Sequence, residues 1–280
     1  MDELTAGSTF AGHVIRAVAG RGGMGVVYRA EWEGHEVALK VIAPELSADR
    51  EFRIRFQREC RAEASIRHPN VIQVYGAGAK DGRLYVRMRY VDGTDLATML
   101  ANGRRLPPAQ AAELIAQVAE GLDAAHARGI VHRDVKPANV LLEADGNRLH
   151  AILTDFGLMK KLNSKMHLTM SGTFLGTCNY AAPEQLLSSG VDARTDVYAL
   201  GCMLHQALTG HVPYPRGSSA ATMFAHLEAP IPVVTAAAPD VPAGFDAVVA
   251  RAMAKDPAER YASAGELGRA ALDAAAEAES

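Results

Sequence analysis

The sequence predicts an α+β fold of two lobes, in which a small antiparallel sheet with one main helix precedes a larger, mostly helical lobe. Segments rich in valine, isoleucine and aromatic residues, separated by glycine turns, fill most of the first third of the chain. One helical pattern interrupts them, and beyond Gly93 most patterns have helical spacing. We therefore expect one domain over residues 1–280, with an N-terminal lobe at about 8–91, a C-terminal lobe at 92–275 and a frayed tail at 276–280.

The N-terminal lobe has one predicted helix, at 49–67, because Phe52, Phe56 and Glu63 fall on one stripe at helical spacing. Pro69 ends this helix, since the residue before a proline avoids helical angles. The predicted strands of the lobe are 10–19, 26–32, 35–42, 71–77 and 84–90.

The C-terminal lobe is predicted to be mostly helical, with a short apolar strand before Asp155 and a loop rich in proline and alanine at 230–242. Its predicted helices are 95–102, 108–128, 192–209, 220–228, 244–254 and 264–278.

Composition excludes several classes of protein. The formal net charge is -3 and the pI about 6.4, so no basic excess points to nucleic acid or to an anionic membrane. No uncharged apolar stretch is long enough to span a bilayer. The three cysteines lie far apart, which predicts reduced thiols in a reducing compartment, and the ten histidines show no metal-binding spacing.

A glycine-rich segment follows the first predicted strand. Gly20, Gly22 and Gly25 fit the pattern GxGxxGxV, but a dinucleotide-binding loop shares this glycine spacing. Such a loop opens a helix, whereas residues 26–30 continue as a strand. A glycine turn between two strands favours a flap over phosphates, because backbone N–H groups can approach the oxygens closely. A plain glycine-rich hairpin is the alternative.

Lys40 stands at the end of the apolar strand 35–42. It is either a solvated charge or a cation for phosphates that a carboxylate holds in place. Glu59 and Glu63 lie on the core-facing stripe of the following helix, and a carboxylate buried there needs a partner. The spacing leaves both glutamates open as that partner.

The strongest signal is the loop 132–139, with the sequence HRDVKPAN. Asp134 can accept a hydroxyl proton, Lys136 can neutralise charge on a moving phosphoryl group, and Asn139 can hold Mg²⁺ through its amide oxygen. Phosphoryl transfer needs little beyond such positioning and charge neutralisation. Asp155, in the sequence DFG after an apolar strand, offers a hard oxygen ligand of the kind that Mg²⁺ prefers.

With Ala182-Pro183-Glu184 closing the segment that begins at Asp155, the chain resembles the eukaryotic-like (Hanks-type) Ser/Thr protein kinases of bacteria over about residues 8–275. The resemblance implies a serine/threonine protein kinase that uses ATP with Mg²⁺, or Mn²⁺ in its place. The nucleotide-binding residues that it implies are Gly20, Gly22, Gly25, Val27, Ala38, Lys40, Met88, Arg89, Val91, Asp95, Asn139 and Asp155.

The same resemblance assigns roles. Asp134 is the catalytic base with Lys136 beside it, and Asn139 and Asp155 are the metal ligands. Lys40 pairs with Glu59, whose distance before the His-Pro-Asn turn matches that of the family's glutamate better than Glu63 does. As scaffold, it implies an Asp196 that braces the catalytic loop, a Glu184–Arg260 pair, and Thr177 near Asp134 and Lys136.

Two stretches depart from the usual pattern. The hinge residue after the gatekeeper Met88 is Arg89, where glutamate is common. Period-two alternation sets Arg87 and Arg89 on the face opposite Leu84, Val86 and Met88. In the family, adenine contacts the hinge through its backbone, so ATP binding is expected to survive these arginines. Residues 178–181 are unusual for the family and bear on substrate preference rather than catalysis.

Regulation is predicted at the hydroxyls of Ser164, Thr169, Ser171 and Thr173. In the family, the arginine before the base, here Arg133, pairs with a phosphorylated activation segment, because phosphate adds strong acceptors and about -1.5 to -2 charges. We expect autophosphorylation in trans, chiefly at the paired positions Thr169 and Ser171. The expected partners are protein substrates and a second copy of the chain, in a transient or back-to-back dimer.

Two other functions are open to this sequence. A pseudokinase scaffold would lack one or more of Lys40, Asp134, Asn139 and Asp155, and all four are present. A small-molecule phosphotransferase would lack the long segment before Ala182-Pro183-Glu184. The sequence further predicts a cytoplasmic location, with no membrane contact by these residues, as an independent protein or as the cytoplasmic domain of a longer membrane-anchored kinase.

Overall fold

A computed structural model describes residues 3–146, 148–156 and 178–277 of the chain. The chain divides into two compact units between Asp92 and Gly93. The N-terminal unit is mostly strand and the C-terminal unit mostly helix, so the predicted α+β fold is confirmed.

The N-terminal unit is built on one antiparallel sheet of six strands in the order β1-β2-β3-β4-β6-β5. The turn between β2 and β3 closes at the pair Gly22 and Gly25. The strands are β1 (Thr9–Phe10), β2 (His13–Gly22), β3 (Gly25–Trp32), β4 (His35–Ile42), β5 (Val74–Lys80) and β6 (Arg83–Arg89).

One face of this sheet carries a buried apolar cluster. Ile15, Tyr28 and Leu39 lie at its centre, and β-branched and aromatic side chains suit such a half-buried pleated surface. Strand β6 alternates strictly between half-buried and buried positions. Its buried residues, Leu84, Val86 and Met88, lie on the face of the sheet opposite this cluster. The alternation predicted for the hinge-side strand is therefore confirmed.

The helix predicted at 49–67 is present, and a short helix that the sequence did not predict stands before it. A short helix, α1 (Pro44–Ala48), precedes α2 (Arg50–Ala64), and Asp49 separates them with an extended backbone. The Asp49 side chain accepts a hydrogen bond from the N–H of Phe52 and so caps α2. The helix ends four residues before His68, earlier than predicted.

The C-terminal unit begins with a small antiparallel sheet of β7 (Gly93–Asp95), β8 (Val140–Asp145) and β9 (Arg148–Leu153). Strand β7 occupies the start of the stretch 95–102 that was predicted to be helical, and Asp95 caps the helix that follows it. The helices of the unit are α3 (Leu96–Met99), α4 (Pro108–His126), α5 (Pro183–Leu186), α6 (Ala193–Thr209), α7 (Ser219–Glu228), α8 (Val234–Ala237), α9 (Gly244–Ala252) and α10 (Ala264–Ala276).

Helix α6 is the central element of the C-terminal unit, since nearly all of its residues are buried. Gly201 marks a close helix crossing, because a Cβ there would lie 2.6 Å from the Cβ of Ala252 on α9. At the α7 side, the Tyr198 hydroxyl and Nδ1 of His226 form a hydrogen bond of 2.8 Å. Burial and the charge of Lys255 lower the pKa of His226 to about 4 from an ordinary value of 6.5.

None of the described helices combines the length and the apolar character that a bilayer crossing requires.

The pKa of His226 makes the stability of the C-terminal unit depend on pH. In the unfolded chain His226 binds a proton near pH 6.5, whereas in the folded chain it does so only near pH 4. The unfolded state therefore holds more protons between these values, and the free energy of unfolding falls as the pH drops through this window. We expect a loss of about 2 kcal/mol from this group between pH 7 and pH 5, measured by urea unfolding.

The variant His226→Asn keeps a hydrogen-bonding group beside Tyr198 but has no titrating ring, so its loss of stability over the same interval should be smaller. His211→Asn, which alters an exposed imidazole, is the matched control and should follow the unmodified protein. A His226→Asn variant that loses stability as steeply as the unmodified protein would contradict this account.

Candidate active site

The loop from His132 to Asn139 joins α4 to β8 and is held in an unusual backbone shape. Arg133 has a φ of 65°, in the left-handed region that residues with a Cβ seldom adopt. Asp155, which follows β9, has a φ of 58°. Such conformations persist where surrounding contacts enforce them, and they concentrate at functional sites.

Asp134, Lys136 and Asn139 lie together in this loop. The Lys136 ammonium is 2.8 Å from Oδ2 of Asp134, and both side chains are largely but not wholly buried. The amide nitrogen of Asn139 donates to the backbone carbonyl of Asp134 at 2.7 Å and to its Oδ2 at 3.1 Å. The structure thus brings together a carboxylate, a cation and an amide, as the sequence predicts.

The hydrogen bonds of Asn139 decide which way its amide faces. Both of its partners on Asp134 are oxygens that only accept, so the NH₂ group points to them and Oδ1 points elsewhere. An amide oxygen fixed in this way suits a hard divalent cation. The N–H of Thr154 donates to the Asn139 carbonyl at 2.9 Å, which ties the residue before Asp155 to the loop.

Asn139 and Asp155 therefore fit a divalent metal by their donor chemistry. Within the described ranges, no three His, Cys, Asp or Glu side chains cluster as a separate metal centre. The two predicted ligands are thus an amide and a carboxylate, and this pair leaves room for phosphate oxygens and water among the ligands, as is usual for Mg²⁺.

Asp196, in the first turn of α6, braces the loop. Its Oδ2 accepts from the N–H of His132 and its Oδ1 from the N–H of Arg133, both at 2.7 Å. Nε2 of His126 lies 2.8 Å from the same Oδ2. The predicted brace is confirmed, and His126 is a third donor that the sequence pattern did not single out.

His132 is a buried connector. Its Nε2 lies 3.0 Å from the carbonyl of Thr154, so this nitrogen donates, and Nδ1 accepts from the N–H of Asp134 at 3.2 Å. Burial lowers the pKa of His132, which agrees with the neutral ring that these roles require. The Phe156 ring packs against it at a centroid distance of 4.5 Å.

The predicted pair of Glu184 and Arg260 is confirmed as a buried, bidentate ion pair with N–O distances of 2.7 and 2.9 Å. Burial alone would raise the pKa of Glu184, but hydrogen bonds from Arg260 and Thr195 outweigh it and lower the pKa. The neighbouring Gln185 donates to the carbonyl of Arg133 at 3.0 Å, so α5 also supports the catalytic loop. Sequence reasoning missed Gln185, because a glutamine carries no charge or spacing signal.

In the N-terminal unit, taken by itself, strand register gathers the predicted nucleotide residues on one face of the sheet. Lys40 on β4 is directly opposite Val27 on β3, and Ala38 is opposite Met88 on β6. Because alternate residues share a face, these four side chains lie on the face opposite the apolar cluster. Lys40 is 6% exposed, so it is not a solvated surface charge.

The glycine-rich hairpin contains two kinds of glycine. At Gly25 the φ is 144° and a Cβ would collide with the backbone of β4, so the fold itself requires glycine. At Gly20 and Gly22 a Cβ would meet nothing within 4 Å, and neither has a positive φ. Packing within the unit does not explain the glycine at these two positions, and an approaching phosphate would.

Helix α2 carries the two candidate partners of Lys40. Glu63 is buried and Glu59 half-buried. Burial raises the pKa of the Cys60 thiol, the charges of Glu63 and Glu59 raise it further, and the charge of Lys40 lowers it. The dominant cause of that raised pKa is burial, so Cys60 is an unreactive thiol. The pairing of Lys40 with Glu59 stays a prediction.

The predicted hinge lies at the end of β6. Its Arg89 N–H donates to the carbonyl of Gln73 at 2.9 Å, so an adenine contact by the Arg89 backbone would use its carbonyl. The side chains of Arg87 and Arg89 share one face of β6, and the Arg87 guanidinium stacks on the Trp32 ring, 3.4 Å from its centroid. The contacts of Val91 with adenine remain a prediction.

Asp95, the predicted ribose-binding residue, has a local role as well. Its Oδ1 accepts from the N–H of Thr98 at 2.8 Å and its Oδ2 from the Thr98 hydroxyl at 2.9 Å, so it caps α3. All three cysteines are buried, and none forms a disulfide with another described residue. The predictions for Ser164, Thr169, Ser171, Thr173 and Thr177 lie outside the described residues.

Comparison with known proteins identifies the family to which this chain is similar. The family described as "Protein kinase domain" matches residues 14–269. The chain is 44% identical over 270 residues to the serine/threonine-protein kinase PknH of Mycobacterium tuberculosis (strain ATCC 25618 / H37Rv), covering 96% of this chain and 42% of that protein. It is 45% identical over 277 residues to PknJ, a serine/threonine-protein kinase of the same strain, covering 97% of this chain and 47% of that protein.

Solved structures agree with these relatives. A crystal structure of the Mycobacterium tuberculosis PknI kinase domain matches with a TM-score of 0.79 and 35% identity, covering 97% of this chain and 100% of that chain. The chain spans less than half the length of the curated relatives it matches. The predicted resemblance to bacterial Ser/Thr kinase domains is confirmed.

Loss of the buried pair should be costly. Arg260→Ala leaves the Glu184 carboxylate buried without its cation, and we expect the free energy of unfolding to fall by about 3–5 kcal/mol in urea titrations at pH 7. Arg105→Ala removes an exposed ion pair with Asp240 in the same unit and serves as the control, with a much smaller loss. Equal losses in the two variants would refute the importance of burial here.

Proposed function

Because the chain belongs to the protein kinase family, we propose that it transfers the γ-phosphate of ATP to serine and threonine hydroxyls of proteins. One observation carries the proposal: Asp134, Lys136 and Asn139 converge in a single loop whose backbone Asp196 holds in place. This is the set of base, cation and metal-binding amide that phosphoryl transfer uses.

The proposed chemistry follows from these groups. Asp134 accepts the proton of the substrate hydroxyl while the hydroxyl oxygen forms a bond to the γ-phosphorus. The bond between the γ-phosphorus and the bridging oxygen breaks, and ADP leaves with that oxygen. Lys136, 2.8 Å from Asp134, offsets negative charge on the moving phosphoryl group. Because Asp134 and Lys136 are in direct contact, both would lie beside the reacting hydroxyl.

Family membership implies ATP and a divalent metal, and we propose Mg²⁺ in particular, with Mn²⁺ able to replace it. The metal, held by Asn139 and Asp155, would neutralise phosphate charge. In the N-terminal unit, Lys40, with Glu59 as its partner, would hold the α- and β-phosphates. The open space over Gly20 and Gly22 supports a phosphate flap there.

The preference for serine and threonine over tyrosine rests on two supports. Lys136, two residues after the base, is the residue that the Ser/Thr members of the family place there. The relatives PknH and PknJ are named as serine/threonine-protein kinases.

We also propose that the domain works in the cytoplasm as part of a longer, membrane-anchored kinase. Three buried cysteines without a disulfide among the described residues suit a reducing compartment. The relatives, about twice as long as the matched region, support a longer protein. Sequencing the reading frame on both sides of these 280 residues tests the proposal.

Replacing the proposed base should abolish transfer. With radiolabelled ATP, Mg²⁺ and a generic basic protein, Asp134→Asn should lose about 100-fold or more of the rate of labelling on serine and threonine. Asp145→Asn, which changes an exposed carboxylate at the end of β8, is the matched control and should retain the rate. Equal labelling by both variants would contradict the assignment, and no labelling by the unmodified protein would favour a pseudokinase.

Autophosphorylation is a separate proposal. After incubation with Mg²⁺ and ATP, phosphopeptide mapping should find phosphate chiefly on Thr169 and Ser171, with Thr173 and Ser164 as further candidates. Mixing active protein with a tagged Asp134→Asn variant should label the tagged copy if the reaction runs in trans. An unmodified segment from Ser164 to Thr173 would refute this proposal while leaving transfer to other proteins intact.

A further inference from the structure

The carboxylate of Asp123, on α4, holds the start of the last described helix. Its Oδ1 accepts from the N–H of Ala264 at 3.1 Å and its Oδ2 from the N–H of Gly265 at 3.0 Å. These are N–H groups of the first turn of α10, which have no partner within the helix. Asp123 therefore caps α10 from a neighbouring helix, in addition to the local cap that Ser263 provides.

Three residues further along α4, His126 lies between two carboxylates. Its Nδ1 is 4.0 Å from Oδ1 of Asp123, and its Nε2 is 2.8 Å from Oδ2 of Asp196. Because a carboxylate only accepts, Nε2 is the donor in the second contact. Nδ1 is buried and makes no hydrogen bond to the described residues, since Oδ1 of Asp123 at 4.0 Å is beyond hydrogen-bond distance.

The same oxygen of Asp196 that receives His126 also receives the N–H of His132. A set of neighbouring side chains therefore runs from the first turn of α10 through Asp123, His126 and Asp196 to the backbone that carries Asp134. The step from Asp123 to His126 is a contact at 4.0 Å, and the other steps are hydrogen bonds. Every link in this set lies within the C-terminal unit, and Asp196 at its end is fully buried.

The position of Asp123 is fixed by close packing of α10 against α4. A Cβ on Gly265 would lie 2.5 Å from Oδ2 of Asp123, so glycine is what allows the carboxylate to sit there. A Cβ on Gly268 would lie 3.0 Å from the Cα of Ala116 and 3.1 Å from the Cβ of Ala119. Helices α10 and α4 are therefore closely packed at both glycines.

We propose that Asp123 is a positioning residue for the phosphoryl transfer, and that through His126 and Asp196 it couples the first turn of α10 to the catalytic loop. The reaction it would serve is the proposed function above. A displacement of Asp123 changes the surroundings of His126, which shares the Asp196 oxygen with the loop backbone. The loop then loses part of the restraint that keeps Asp134 in its place.

The simpler interpretation is that Asp123 only stabilises α10. Two variants at the same end of this helix separate the interpretations. Gly265→Ala forces the Asp123 carboxylate aside, whereas Ser263→Ala removes the helix's own cap, a hydrogen bond from the N–H of Glu266, and leaves Asp123 in place. Asp123→Asn provides a second test, because it keeps the shape but cannot accept both N–H groups with carboxylate oxygens.

The experiment combines two measurements on the whole chain. Amide hydrogen exchange by NMR should be about ten-fold faster at His132 and Arg133 in Gly265→Ala and Asp123→Asn than in the unmodified protein. Phosphoryl-transfer kinetics should show kcat reduced about ten-fold with an unchanged KM for ATP, since misplacement of a catalytic group by ~1 Å costs up to about 10²-fold. Ser263→Ala, and Gly217→Ala, where a Cβ meets nothing within 4 Å, should match the unmodified protein in both measurements.

Equal effects of Ser263→Ala and Gly265→Ala would overturn the proposal, because helix stability would then account for both. Unchanged exchange at His132 and Arg133 in Gly265→Ala would overturn it as well. If the unmodified protein transfers no phosphate yet the exchange pattern holds, the coupling stands and the proposed function fails.

Discussion

The buried carboxylate of Asp196 is the interaction on which the C-terminal unit depends. A charge removed from water is costly unless it is hydrogen-bonded, and here three donors satisfy it: the N–H groups of His132 and Arg133 and the ring of His126. Its place in the first turn of α6 adds the favourable end of the helix dipole. In return, the carboxylate holds Arg133 in a left-handed backbone that it would not keep by itself, and the neighbouring Asp134 is aimed as a consequence.

The same turn of α6 serves a second buried charge. Thr195, next to Asp196, donates to Glu184, whose other contacts come from the guanidinium of Arg260. Two charge centres therefore share one helix start, and α5 links them, because Gln185 follows Glu184 and donates to the carbonyl of Arg133. Removing either charge would leave its partners buried without compensation, which is more costly than never having buried the group. This interdependence makes the catalytic loop a product of the whole unit.

In the N-terminal unit the controlling constraint is strand alternation. The period of two sends one set of side chains into the apolar cluster and sets Val27, Ala38, Lys40 and Met88 on the other face. The sequence predicted this division for β6 correctly, because alternation is local. It placed the start of α2 at Asp49, the cap residue, but did not predict α1, because a helix of five residues is too short to show a helical period.

The sequence by itself determined the chemical groups and their order: the glycine hairpin, Lys40, the loop of Asp134 to Asn139, and Asp155. These follow from local patterns, and with the family resemblance they also gave the partners of Asp196 and Glu184. Only the tertiary structure decided the parts played by His126, Gln185 and Asp123. Asp123 and Gly265 are 142 residues apart, and His126 and Asp196 are 70 apart. No local pattern carries such pairings, because they arise when packed helices bring distant turns together and a buried polar group must then find its partner.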